Sequence, residues 1–474
     1  MKKPVKLAKV RVRFAPSPTG FLHIGGLRTA LYNYLFAKKH GGQFILRIED
    51  TDRTRAVEGG VENIISTLKW CGLQWDEGPY VQSQRLEIYK KYAQELVGQG
   101  SAYYCACTPE RLEQVRQEQM ARKEAPRYDG HCRKLGVRDQ VSGVSFVVRL
   151  KVPEKGSTKF SDIIHGEMEF ENKLIDDQVL MKSDGYPTYH LANVVDDHEM
   201  KISQVIRGEE WLPSTHKHIL LYKAFGWKPP QFAHLPLLLN ANHSKLSKRQ
   251  GDVAVEDYIK KGYLREALIN FVALLGFNPR ADKELYTLDE LIAEFDLTKV
   301  NKSGAVVNFE KLNWMNGSYI RQMPVAELVK LAMPYLPAVN AETAREIVAL
   351  ERERIKKLSD LTDSTEYLTN EQLHYEPEIL VWKKSPKAAI GPILQALYDY
   401  LEQYRGAWHA AELEDAIKIW IKSENRGVGE VLWPMRVALS GRMASPPPFD
   451  IAAILGKARA LARIEYAIKL AKKL

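Results

Sequence analysis

The chain has 474 residues, 45% hydrophobic and 27% charged, too many for a single hydrophobic core, so roughly three globular domains are expected. No stretch approaches the roughly 18 apolar residues of a membrane span, and the basic start MKKPVKLAKV lacks the apolar core and cleavage site of a secretory signal, which leaves the cytoplasm as the expected location. The net charge of +9 is modest against 68 basic and 59 acidic residues, but ten of the basic residues and only two acids, Glu49 and Asp50, fall in the first fifty positions, so the distribution supports a polyanionic partner more than the total does.

In chain order, residues 10–14 read as a short buried strand, followed by a turn rich in Pro, Ser, Thr and Gly. A helix then carries Leu27, Ala30, Leu31, Tyr34 and Leu35 on one face, stops at Gly41-Gly42, and gives way to a second strand at 44–48. Strand, helix, strand predicts a parallel pair with a right-handed crossover. Ligands of such sheets sit beyond the carboxyl ends of the strands, where the first turn and Glu49-Asp50 both fall. A glycine-rich turn that opens a helix lets backbone N–H groups approach phosphate closely. Gly20, Gly25 and Gly26 suit that task, and His23 between them either donates to a phosphoryl oxygen or caps the turn.

From about 103 to 195 the pattern is interrupted by cysteines, turns and an alternating stretch at 144–150, which reads as an inserted module. Four cysteines are too few for a disulfide framework, and the clustering of Cys105, Cys107 and Cys132 away from Cys71 suggests a metal instead. The α/β pattern resumes at 205–207, continues through a helix at 216–224, and delivers Lys245-Leu246-Ser247-Lys248-Arg249. Lys245 and Lys248, with Ser247 between them, suit the neutralisation of a departing pyrophosphate. Beyond 253 strand signals almost vanish and helical periodicity runs to 451–474, broken at Pro334, Pro377 and the prolines at 446–448.

The segments RFAPSPTG at 13–20, HIGG at 23–26, RIEDTD at 47–52, YPTYHLAN at 186–193, VIRGEEW at 205–211 and KLSKR at 245–249 resemble, in this order, those of the bacterial glutamyl-tRNA synthetases, a family of class I aminoacyl-tRNA synthetases. The resemblance covers essentially the whole chain. It implies an α/β catalytic domain with a Rossmann-type parallel sheet, in halves 1–102 and 196–252, split by an inserted α+β module at 103–195 that meets the acceptor end of tRNA. A helical stem-contact region at 253–324 and an all-α anticodon-binding region at 325–474 would follow. The implied reaction joins L-glutamate to tRNA(Glu) through a glutamyl-adenylate, with ATP and Mg2+ consumed as AMP and pyrophosphate leave. The expected protein is a cytoplasmic monomer with no membrane association.

Carried over position by position, the resemblance implies Arg13, Ser17, Glu49, Tyr189, Asn193 and Arg207 around glutamate, and Gly20, His23, Gly25, Gly26, Trp211, Lys245, Ser247 and Lys248 around ATP, with His23, Lys245 and Lys248 acting in catalysis. Glutamate carries two carboxylates and one ammonium, which two arginines and one acid complement. Arg13 is expected on the side-chain carboxylate, Arg207 on the other and Glu49 on the ammonium, the plain alternative for Glu49 being a strand-end pair with Arg47. Gly26 stands where the class pattern has a second histidine, and Leu246 where it usually has Met. Some family members hold zinc in the insert; here Cys105, Cys107 and Cys132 would need Tyr128 or His131 as a fourth ligand.

Residues 433–441 and the final helix resemble the anticodon cage of the family, with Arg352 and Arg354 aligned to its anticodon-reading arginines. The alternative for these two is ordinary helix-surface charge beside Glu351 and Glu353. Since 325–474 holds 21 basic and 20 acidic residues, recognition there would rest on placed contacts to unpaired bases. Three rival readings are weaker. A short relative that glutamylates a modified tRNA base lacks the C-terminal helices, bacterial glutaminyl enzymes usually carry β-barrels there, and an inactive paralogue would not be expected to keep Arg13, His23, Glu49, Lys245 and Lys248.

Overall fold

Two short strands begin the first sheet: β1 (Arg11–Phe14) pairs in parallel with β2 (Gln43–Ile48), Val12 opposite Phe44 and Phe14 opposite Leu46, and β2 is buried from Phe44 onward. The computed structural model describes residues 9–135, 145–246, 254–383 and 385–474, without the side chains of 134 and 135. Helix α1 (Ile24–Lys39) crosses from β1 to β2 and buries Leu27, Ala30, Leu31 and Leu35, while Tyr34 stays half-buried. It ends where Gly41 takes a left-handed φ of +58°, a turn conformation open to glycine at little cost. After α2 (Gly60–Trp70), β3 (Glu77–Val81) joins β2 in parallel, and α3 (Leu86–Gly98) follows.

The chain then runs through β4 (Ala102–Cys105), α4 (Pro109–Ala121), α5 (His131–Leu135), β5 (Val147–Leu150), β6 (Ser157–Asp162), β7 (Gly166–Glu171), β8 (Val179–Met181) and α6 (Tyr189–Glu199). Strands β4, β5 and β8 form a small antiparallel sheet of their own. The β6–β7 hairpin does not join it. Instead β6 pairs in parallel with β10 (Gln231–Leu235), which pairs in parallel with β9 (Gln204–Gly208) across the crossover helix α7 (Leu212–Ala224). The segment 103–195 is therefore divided between two sheets. The Ser203 N–H donates to the Arg11 carbonyl at 2.9 Å, stitching the start of β9 to β1.

Short elements follow, β11 (Leu238–Leu239), α8 (Val255–Lys260), α9 (Arg265–Ala273), α10 (Leu288–Glu294) and β12 (Ala305–Val306), and then the longer helix α11 (Phe309–Gln322). The chain divides into two compact units, Met1–Tyr258 with Arg265–Phe309, and Ile259–Leu264 with Glu310–Leu474. In the second unit α12 (Val325–Ala332), α13 (Ala341–Glu351), α14 (Asp360–Thr369), α15 (Lys387–Gln403), α16 (Ala410–Ser423), α17 (Val428–Ser440) and α18 (Pro448–Ala471) follow one another. Leu394, Leu397, Ile417, Met435 and Ile464 lie at the centre of its core. The last helix, expected to be continuous, is two helical pieces meeting at Gly456, whose φ is +74°. Among the described residues no helix is long and apolar enough to cross a membrane.

Candidate active site

Beyond the carboxyl ends of β1, β2, β9 and β10 lies a cavity of about 1090 Å³, walled by the turn after β1, Glu49 after β2, Gly208 and Trp211 at and beyond the end of β9, and Pro236 after β10. Arg13, Ser17, Gly20, His23, Gly25, Gly26, Glu49, Tyr189, Asn193, Arg207, Trp211 and Lys245 all line it. Ser247 and Lys248 lie outside the described residues. Leu246 also lines the cavity, and its N–H donates to the Leu238 carbonyl at 2.9 Å. Past the undescribed stretch, Val255 N–H donates to the Leu22 carbonyl at 2.8 Å and Ala254 bridges His23.

His23 is the N-cap of α1, its Nδ1 accepting from the Gly26 N–H at 3.2 Å. A neutral ring that accepts at Nδ1 carries its proton on Nε2, so the capping role and a phosphate-donating role are compatible in one tautomer. The two glycines are small for a reason visible in the packing. A Cβ on Gly25 would stand 3.0 Å from the His23 ring, and one on Gly26 would stand 2.8 Å from Leu22 Cδ1.

Arg47 is fully buried and ties the end of β2 to helix α6: Nη2 meets Glu49 Oε1 at 2.9 Å and Nη1 meets Asp197 Oδ1 at 2.8 Å. Arg13 donates from Nε and Nη2 to Asp197 at 3.0 and 3.3 Å, and Arg85 meets Asp196 at 2.9 Å. Three guanidiniums thus balance three carboxylates. Glu49 does pair with Arg47, as its plain alternative had it, and it also accepts from Asn193 at 3.1 Å. Among the described residues these contacts all fall on Oε1, which leaves Oε2 able to accept from a bound ammonium. Burial pushes the Glu49 carboxyl above the ordinary range against the pull of Arg47 and Arg13, so a cation arriving there would be stabilised and would restore its charge. Asp197 is driven up by burial but held below the usual carboxylate range by Arg13 and Arg47.

Arg207 stands beside this balanced set without an acid. Among the described residues its partners are the Tyr189 hydroxyl at 2.9 Å, Thr215 Oγ1 at 2.8 Å and the rings of His234 and His218 at 3.1 and 3.3 Å, all neutral. Burial pushes Tyr189 up to about 12, so its hydroxyl stays protonated, and Trp211 covers its ring at 4.1 Å between centroids. A guanidinium 5% exposed, satisfied by hydrogen bonds yet not neutralised, is a site for an anion.

Away from the cavity, the thiols of Cys105, Cys107 and Cys132 lie within 4.8 Å of one another. The Tyr128 hydroxyl sits 3.4 Å from Cys105 Sγ and 3.5 Å from Cys107 Sγ, while His131 is exposed and does not belong to the cluster. Burial acts to raise Cys105, but hydrogen bonds from Tyr128, the Cys107 backbone and Arg149 leave it below the ordinary thiol value. Cys107 is pushed up to about 11 by burial, to which the adjoining thiols add. In the second unit α13 ends at Glu351, which is buried, so Arg352 and Arg354 occupy the turn after the helix, not its surface. Arg354 faces Glu351 at 4.0 Å and lies near enough to Arg436 on α17 to lower its affinity for a proton, after the larger effect of burial.

Sequence reasoning passed over Asp196 and Asp197 and used Arg47 only as a bystander. The available signal was Val194-Val195-Asp196-Asp197, two acids placed directly against an apolar pair on a helix, a pattern that pairs or pays heavily.

The parallel sheet, the glycine-rich turn at the head of α1 and the cavity at the strand ends define the catalytic fold of a class I aminoacyl-tRNA synthetase. Residues 9–314 match the family of class I tRNA synthetases (E and Q), catalytic domain, and residues 327–468 match an anticodon binding domain. The chain is 45% identical to the glutamate–tRNA ligase of Dehalococcoides mccartyi (strain CBDB1), over 97% of each chain, and 45% identical to that of Clostridioides difficile (strain 630), over 96% of this chain and 98% of the relative. A crystal structure of a glutamate tRNA ligase from Elizabethkingia meningosepticum CCUG26117 in complex with its amino acid is similar at a TM-score of 0.89 and 37% identity, covering 98% of this chain and 99% of that one. The chain belongs to the glutamate–tRNA ligase family.

Proposed function

We propose that the cavity binds glutamate and ATP side by side, with Arg13 on the side-chain carboxylate, Arg207 on the other carboxylate and the Glu49, Asn193 and Ser17 group around the ammonium. The observation that carries this reading is Arg207, a buried cation with neutral partners standing next to an ionic set that is already balanced. The enzyme joins L-glutamate to tRNA(Glu) at the cost of ATP, and the amino acid's carboxylate oxygen attacks the α-phosphorus in line as pyrophosphate leaves. Gly20, Gly25 and Gly26 admit the triphosphate to the head of α1, Trp211 closes the nucleotide side, and His23 Nε2–H donates to a phosphoryl oxygen as charge shifts. Lys245, Ser247 and Lys248 stabilise the departing pyrophosphate, and the terminal ribose hydroxyl of tRNA then displaces AMP. ATP enters as its magnesium complex. Positioning and fixed charge suffice, and no covalent bond to the protein forms.

ATP–pyrophosphate exchange with glutamate or glutamine, with and without tRNA, tests this directly. Exchange is expected with glutamate and to depend on tRNA; exchange favouring glutamine would overturn the substrate assignment, and none under any condition would mean an inactive paralogue.

The domains follow the same reading: catalytic halves at 1–102 and 196–252, an acceptor-end module at 103–195, a stem-contact region at 253–324 and an anticodon-binding region at 325–474, where Arg352 and Arg354 meet anticodon bases. The working form is a cytoplasmic monomer. The three thiols and the Tyr128 oxygen suit a structural zinc, which would clamp β4 to α5 and the turn before it. Purified from zinc-containing medium, the protein is expected to carry roughly one zinc per chain, and Cys107→Ser to lose it together with several degrees of melting temperature. Zinc-free protein with unchanged melting after zinc addition would remove the metal from the fold.

A further inference from the structure

Arg207 is held from behind by a row of side chains that crosses three neighbouring strands. In the sheet order β6, β10, β9, His234 sits opposite Arg207 and Phe232 opposite Asp162. His234 Nδ1 is 2.6 Å from Asp162 Oδ2, and its Nε2 is 3.1 Å from Arg207 Nε. We infer that Asp162, acting through His234, is a positioning residue for glutamate binding, fixing the imidazole tautomer that receives Arg207 and so holding the guanidinium in place against the cavity. This rests on the reading that Arg207 grips a carboxylate of glutamate.

Arginine can only donate, so His234 Nε2 must present a lone pair to Arg207 Nε–H, and a neutral ring then carries its proton on Nδ1. Asp162 Oδ2 is the acceptor for that proton. The carboxylate cannot turn away, because its Oδ1 accepts from the backbone N–H groups of Ile164 and His165, both at 2.9 Å. Burial, helped by Arg207, brings His234 down to about 4 against the pull of Asp162, so the ring is neutral at physiological pH and adds no charge to repel the guanidinium. On the other side of Arg207, His218 Nδ1 must likewise accept, with its Nε2 proton directed to His190 Nδ1 at 3.1 Å. Thr215 and Tyr189 take the remaining contacts. Every partner leaves the charge of Arg207 intact for the ligand while restricting where it can point.

Asp162→Asn tests this with almost no change in volume. The asparagine oxygen stays with the two backbone N–H groups, so its NH2 must occupy the place of Oδ2 and donate to His234 Nδ1. The ring proton moves to Nε2, where Thr215 Oγ1 at 3.1 Å can accept it, but Arg207 Nε–H loses its acceptor and faces a donor. The KM for glutamate is expected to rise roughly tenfold or more, with the KM for ATP within about twofold. In a His234→Gln background, where a carbonyl can accept from Arg207 and no tautomer exists, Asp162→Asn should add little. An equal rise for glutamate and ATP, or the same factor in both backgrounds, would show Asp162 to be a mere turn cap and overturn the inference. If Asp162→Asn does not fold, the pair His234→Leu and His234→Gln carries the same question: the glutamine variant should recover most of the loss in glutamate binding that leucine causes, and equal losses would overturn the proposal. Arg207→Ala separates the two levels. No change in glutamate KM there overturns the reading of Arg207 and this inference with it, whereas a large change beside a silent Asp162→Asn overturns the relay alone.

Discussion

Replacing Arg207 with alanine is expected to lower kcat/KM for glutamate by roughly thirtyfold to several thousandfold, the range that follows from truncating one partner of a buried, hydrogen-bonded charge pair. The effect should be this large because the surrounding set offers no substitute: Arg13 and Arg47 already share Asp197, and Arg47 also holds Glu49. Arg207→Lys keeps the charge but loses the planar fork that reaches Tyr189, Thr215 and His234 together, so it should recover only part of the loss. With Arg207 on the carboxylate that glutamate and glutamine have in common, the alanine variant should lose both amino acids alike and keep its preference, whereas Arg13→Ala should narrow the preference. Steady-state aminoacylation with each amino acid reads both quantities. A glutamate kcat/KM within a few fold of the parent would show that Arg207 does not hold the substrate.

The parts of this site that could be read from sequence are those whose meaning is local. The turn before α1 announces itself through glycines at fixed offsets, and the strands flanking it through short runs of Val, Ile, Leu and Phe interrupted only by single arginines. The anchoring acids are different. Asp197 matters because Arg13 lies 184 positions away and Arg47 150 positions away, and nothing near it in the chain records either partner. His234, inside QFAHLPLLL, looks like one polar residue in a core strand until parallel pairing brings Asp162 up beside it from 72 positions earlier. The same pairing explains why 103–195 read as one insert: β6 alternates like any antiparallel strand, and only its partner β10 shows that it extends the central sheet. For the cysteine cluster the sequence leaves both Tyr128 and His131 open as the fourth ligand, and what separates them is the short helix α5, which turns Cys132 inward and leaves His131 exposed.

Lys248→Ala is expected to slow glutamate-dependent ATP–pyrophosphate exchange by roughly a hundredfold or more, with the melting temperature and the KM for glutamate little changed. The physical reason is that charge accumulates on the phosphoryl oxygens and the departing pyrophosphate only as the α-phosphorus is displaced, so a fixed cation there stabilises the transition state more than the bound substrates. Lys248 itself lies outside the described residues, but both ends of its segment return to one place. Leu246 is fixed to Leu238 on the cavity wall, and Ala254 bridges His23 at the head of α1. The described residues on either side of it, Leu246 and Ala254, thus both meet residues that line the cavity, Leu238 and His23. Lys248→Arg should restore part of the rate, since charge matters more than shape at a diffuse polyanion. His23→Ala in the Lys248→Ala background should cost less than it does alone, because the two groups serve one transition state and their losses do not add. Exchange at the parent rate in Lys248→Ala would exclude this lysine from the chemistry and leave Lys245, already on the cavity wall, as the cation to test next.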